Sequence, residues 1–394
     1  MTHKKHSLLF IIATLAIFPL PQLAIDLYLP SLPAMVTHFH SSDTLLQLSL
    51  TVYILTLGIT QLIYGPVSDR FGRKPVLLVG TVIFLLASLA CVFATSITEL
   101  LLFRILQGIG MGCGFTIGSA IIGDSFQGQQ LARMTTFSSM IYAMSPLLAP
   151  VIGGYLQDCI GWRANFAFIT IITVLLFLAF IFCIPETHLK PDLHALKPKN
   201  LALNYLKMFR SLRFVAYVMI ATLAFGLMVT FNVIGPFLLQ NALHVHAAFY
   251  GVLLLLVGLA YLIGTSLNSH ILKFYSTVHL IIIGIGGMIV FSLGLLIAAW
   301  VGWFSVTSVT LFTCLCIFSS GFVFPNSFAK VLEVFPNNLG TASALMGAAG
   351  LIGTAIISVI AASVNANHAQ PLAYLFIAQS VFALLFLMLA LRAK

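Results

Sequence analysis

Charge is what this chain has least of. Only 7% of its 394 residues are charged, and Asp and Glu together number nine. Soluble domains carry about a quarter charged residues. A globule cannot hide a 60% apolar composition behind so few charges, which excludes a soluble enzyme, a nucleic-acid-binding domain and a disordered chain. Also missing are a glycine-rich loop to cradle phosphate, ligands at zinc spacing and a nucleophile–base pair. Neither an enzyme nor a metal or organic cofactor is expected. Long hydrophilic stretches are scarce too: the longest gap between apolar runs extends only from Pro185 to Arg213. A receptor with an extramembrane output domain has no room here.

Cysteine does not build a disulfide framework. Cys91, Cys113, Cys183, Cys314 and Cys316 fall inside apolar runs and only Cys159 lies in a loop. His38-x-His40 and His244-x-His246 are read as interfacial polar residues, and no metal site is expected.

What is present is apolar length. A span needs about 20 apolar residues to cross the hydrocarbon, and the chain holds twelve such runs, the first at about Ser7–Leu29. That run is too long for a signal peptide and lacks a small-residue cleavage site, so it is read as an uncleaved span. With the N-terminus placed inside, sixteen of the eighteen Lys and Arg fall in inner gaps, against Arg163 outside and Arg104 within a span. Both termini are therefore expected in the cytoplasm. The basic gap after the sixth run divides the chain into halves 1–185 and 214–394, joined by a cytoplasmic linker 186–213. The expected fold is an all-α membrane protein of two six-helix bundles, a plan used by transporters built from repeated halves.

Several motifs carry a family resemblance. The loop after the second run reads Gly65-Pro66-Val67-Ser68-Asp69-Arg70-Phe71-Gly72-Arg73-Lys74, which resembles the signature loop of the major facilitator superfamily. Asp26-Leu-Tyr-Leu-Pro, Arg104-Ile-Leu-Gln107-Gly108, Ala149-Pro150-Val-Ile-Gly153-Gly154, Pro185-Glu186-Thr187 and Gly340-Thr341-Ala342 narrow it. Together they resemble the twelve-span drug/proton antiporters, closest to the Bcr/CflA subfamily. The resemblance implies alternating access in a multi-pass protein of the bacterial inner membrane, with protons as coupling ion.

The charged loop can be read physically. Gly65 and Gly72 permit a tight reversal, and Asp69 can accept from a helix N-terminus. Arg70 and Arg73 can clamp a carboxylate, with Asp124 at matching depth and Arg133 close by. This set is a candidate conformational latch, the plainer alternative being that it only fixes topology. Pro150, Gly153 and Gly154 allow close helix approach, which tight packing explains as well as the gating role implied by the resemblance.

Ionisable residues inside spans are functional candidates. Asp26 and Arg104 both fall in the outer third by rise per residue, where they can meet. Burial favours a protonated carboxyl and a guanidinium favours its anion, so proton coupling is expected at Asp26 with Arg104, the alternative being a static ion pair. The second half has no charge within its runs and can supply Asn232, Gln240 and Tyr261 to a cavity faced by Tyr28, Tyr53, Gln61, Phe115 and Tyr142. For each aromatic, packing is the competing role. Such a cavity suits small amphiphilic or cationic molecules, handled by a monomer in a lipid bilayer without nucleic acid. The leading expectation is a multidrug exporter, with metabolite (siderophore) export or proton-coupled uptake as alternatives.

Overall fold

The structure is a computed structural model and describes residues 7–188, 206, 208–336 and 339–393. Most of the linker expected at 186–213 lies outside the described residues. Among the described residues, twelve helices are long and apolar enough to cross a membrane. In chain order they are α1 (Leu8–Phe39), α2 (Asp43–Phe71), α3 (Arg73–Phe93), α4 (Ile97–Ser125), α5 (Gly128–Cys159), α6 (Arg163–Cys183) and α7 (Leu212–Ala242). They continue with α8 (Ala247–Ile271), α9 (Thr277–Trp300), α10 (Val306–Val334), α11 (Leu339–Ala362) and α12 (Ala369–Arg392).

Serine opens many of them. Ser7, Ser42, Ser96, Ser211, Ser276 and Ser305 each accept from a backbone N–H in the first turn, satisfying a donor that lipid cannot. α1 is not continuous. It comprises Leu8–Leu15, Pro19–Asp26, a 3-10 turn Leu29–Ser31 and Leu32–Phe39. Pro30 has no N–H to return to the Asp26 carbonyl, so the helix breaks just after that acid. The first span therefore runs well past the expected Leu29, and Asp26 sits beyond mid-span but not at its outer end.

α1–α6 and α7–α12 pack as two bundles that meet mainly through α2 against α11 and α5 against α8. One mark of a repeated half is conformational. Among the described residues, His40 and His244 alone adopt positive φ without being glycine (48° and 54°), each in the loop after the first helix of its half. The ends of α2, α4, α10 and α12 that carry Arg70, Asp124, Lys330 and Arg392 form a basic face.

Bundle-to-bundle hydrogen bonds gather toward the opposite face. Gln240 Nε2 donates to the Pro30 carbonyl (3.0 Å), and Gln47 Nε2 donates to that of Val233 (2.9 Å). Thr51 and Ser358 share a hydroxyl bond of 2.6 Å. Asp158 accepts from the Ala248 N–H at the start of α8 (2.9 Å). Among the described residues, no hydrogen bond or ion pair joins the bundles at the basic face.

Candidate functional site

Arg104, on α4, has no exposed surface and, among the described residues, meets no carboxylate. Its guanidinium lies between two rings, 4.5 Å from the centroid of Tyr28 and 4.3 Å from that of Tyr53. It donates to the carbonyls of Ala24 (2.9 Å) and Ser49 (3.3 Å) and to Gln107 Oε1 (2.8 Å). The break in α1 leaves the Ala24 carbonyl free to accept. The expected meeting of Asp26 with Arg104 is thus replaced by carbonyl ligation and cation–π stacking around Arg104.

Asp26 is 1% exposed. Among the described residues its carboxylate takes one hydrogen bond, from Gln22 Nε2 at 2.8 Å. Gln22 lies one helical turn earlier, and its Oε1 accepts from the Tyr142 hydroxyl of α5 at 3.2 Å. Phe115, 44% exposed, stands edge-on to Tyr142 (ring centroids 6.0 Å apart) and to Phe18 (5.7 Å). From the second half, the Tyr250 hydroxyl is buried, without a partner among the described residues, and within electrostatic reach of Asp26. Asn232 Oδ1 is likewise buried and unpartnered. Tyr261 is half-buried and within electrostatic reach of Tyr142 across the bundles.

Three of the expected cavity residues are elsewhere. Tyr28 and Tyr53 are buried in the first bundle, their hydroxyls bonded to Ser49 (3.0 Å) and to the Pro21 carbonyl (2.8 Å), because they form the Arg104 sandwich. Gln240 belongs to the seal with Pro30. Gln61 is half-buried where α2 meets α11, its amide against Gly347. Gln22 was not singled out from the sequence, although its i, i+4 spacing to Asp26 places both on one helical face.

The charged loop is also rearranged. Gly65 lies within α2 and makes no reversal; Gly72 alone turns, at φ +97°, where a Cβ would strike the Glu186 carboxylate. Arg73 is the hub. Its guanidinium pairs with Asp69 and Asp124 and bonds Ser68 Oγ (2.6 Å). Asp69 caps no helix. Glu186 does so instead, accepting from the backbone N–H groups of Arg73 (3.0 Å) and Lys74 (3.1 Å) at the start of α3. Arg70 and Arg133 lie over Phe71 and Phe137. All these contacts stay within the first bundle, so the expected latch between moving parts is an internal clamp in this state.

At the α5 contact the expected close approach is present. A Cβ on Gly153 would enter the Leu27 carbonyl, and one on Gly154 the Ala247 carbonyl. Pro150 lies against Gly251 of α8.

Residues 20–358 match the family model described as Major Facilitator Superfamily. The chain belongs to that superfamily. The relatives of this superfamily member include a bicyclomycin resistance protein homolog of Haemophilus influenzae, 25% identical and covering 95% of this chain and 94% of the relative. Multidrug resistance protein D of Escherichia coli is 29% identical over 86% of this chain and 85% of its own. The crystal structure of a peptide transporter POT in complex with sulfate shares the fold, with a TM-score of 0.79 at 13% identity, over 100% of this chain and 96% of that one. Membership makes the protein a multi-pass membrane transporter and not an enzyme.

Proposed function

We propose that the protein is a proton-driven exporter of small amphiphilic or cationic molecules in a bacterial inner membrane. The basic face is turned to the cytoplasm by the positive-inside rule, and the halves 1–185 and 214–394 rock about the site. The observation that carries the reading is Asp26, a carboxyl at the bundle interface held, among the described residues, by one neutral amide and by no cation. Its charge can therefore change without dismantling the Arg104 ligation beside it. With hydrogen bonds between the bundles gathered at the opposite face, this is the inward-open state. Asp69, Arg70 and Arg133 are the groups left to engage the second half when the basic face closes. The names of the drug-resistance relatives support the export direction and substrate class.

The test is efflux of ethidium from vesicles of the reconstituted protein under an imposed pH gradient. Gradient-driven efflux is expected in the wild type and its loss in Asp26→Asn, with gradient-free exchange retained. Efflux that ignores the gradient overturns the reading.

A further inference from the structure

The chain Tyr142–Gln22–Asp26 has a direction set by chemistry. A carboxylate only accepts, so the Gln22 amide must turn its N–H toward Asp26 Oδ2. Its Oε1 then faces Tyr142, and the Tyr142 hydroxyl must donate. With its only proton committed to Gln22, Tyr142 offers lone pairs to a ligand lying beside Phe115 and Tyr261.

We propose that Gln22 is a positioning residue that converts protonation of Asp26 into a reversal of the hydrogen-bonding sense of Tyr142. The inference rests on Asp26 exchanging a proton. When water delivers a proton to Asp26 Oδ2, that oxygen becomes a donor. The Gln22 amide then rotates by half a turn, so that Oε1 accepts from Asp26 and Nε2 donates to the Tyr142 oxygen. The Tyr142 hydroxyl, still carrying its proton, turns to donate toward the ligand. No proton crosses Gln22; the one taken up stays on Asp26, and its O–H is the only covalent bond formed.

The consequence is a substrate class. While Asp26 is anionic, Tyr142 accepts from N–H donors, so amphiphiles bearing an amine or ammonium N–H are held. Once Asp26 is protonated, Tyr142 presents a donor and those molecules lose their partner. The titratable and charged groups around Asp26 are Tyr28 of α1, Tyr53 of α2, Arg104 of α4, Tyr142 of α5 and Tyr250 of α8. Among them Arg104 carries a permanent charge, and its carbonyl contacts do not involve Gln22.

Infrared difference spectra of the lipid-reconstituted full chain, isotope-labelled at glutamine amides and recorded across a pH titration, test this directly. A carboxyl band that disappears in Asp26→Asn is expected to rise together with an amide band that disappears in Gln22→Met. Tyr142→Phe is expected to shift both. A carboxyl band without its amide companion overturns the relay while leaving proton exchange at Asp26 intact. Absence of the carboxyl band overturns both. Equilibrium binding gives a second readout. Gln22→Met and Tyr142→Phe are each expected to weaken ethidium, which carries N–H donors, about fivefold, the worth of one hydrogen bond. Tetraphenylphosphonium, which has none, is expected to bind unchanged, and the double variant to bind ethidium no more weakly than either single. Equal losses for both probes, or additive losses, overturn the proposal.

Discussion

The two bundles satisfy buried polar groups in different ways. The first buries Asp26 and Arg104; the buried polar side chains described in the second are all neutral, among them Thr230, Gln379, Asn268 and Asn326. The difference follows the helix that opens each half. α1 is broken around Asp26 and leaves the Ala24 carbonyl for Arg104, whereas α7 runs unbroken from Leu212 to Phe237 and lends a carbonyl, that of Val233, to the neutral Gln47 amide. A buried cation and a broken helix belong together, because lipid offers a guanidinium no acceptor of its own. The second bundle, with neither, brings a neutral group, Tyr250, within electrostatic reach of Asp26.

Arg104→Lys is the sharpest way to break the comparison. An ammonium keeps the charge but cannot stack between two rings while reaching three acceptors. Loss of two hydrogen bonds and the stacking is expected to destabilise the protein by about 2–4 kcal/mol, read as a fall in melting temperature, with gradient-driven efflux reduced more than about tenfold. Gln379→Leu in the second bundle, which removes the bond to Thr230 (2.7 Å), is expected to destabilise by less than about 1 kcal/mol. Equal losses at the two sites would erase the distinction between the bundles.

Gly154→Leu acts between the bundles and leaves each core alone. Its side chain would meet the α8 backbone at Ala247, so the opposite face is expected to open while the fold persists. Cys159 is exposed at that end of α5. Spin labels on it and on Phe249→Cys should report a longer distance in the Leu variant, with efflux slowed by a few-fold.

Periodicity and charge placement revealed much of this plan, because hydrophobic length and basic gaps act locally. The span count, the placing of Asp26 and Arg104 within spans and the shared depth of Arg73 and Asp124 all follow from spacing along the chain. What spacing could not supply was who partners whom. Arg104 takes carbonyls, and a carbonyl leaves no trace in a residue code. Tyr28 and Tyr53 looked like cavity residues because spacing does not show which rings stack on the Arg104 guanidinium. Glu186 displaced Asp69 as the helix cap because the chain after α6 folds back to α3, a contact 113 residues long in sequence. Gln22 was within reach of helical spacing alone.

The smallest effect on transport is expected where the second bundle uses its own kind of polar contact. Asn326 of α10 donates to Asn268 Oδ1 of α8 (2.7 Å) and to the Phe322 carbonyl (2.8 Å), with both side chains buried. Inter-helical hydrogen bonds within membrane proteins average about 0.6 kcal/mol, yet an orphaned buried acceptor carries a penalty of about 1–3 kcal/mol. Asn326→Leu should therefore destabilise more than the bond is worth, by stranding Asn268 Oδ1. Adding Asn268→Leu removes the stranded group and should restore most of the melting temperature, with efflux near wild type throughout. If the double variant instead loses efflux while regaining its melting temperature, this pair serves transport, and the neutrality of the second bundle has a purpose beyond packing.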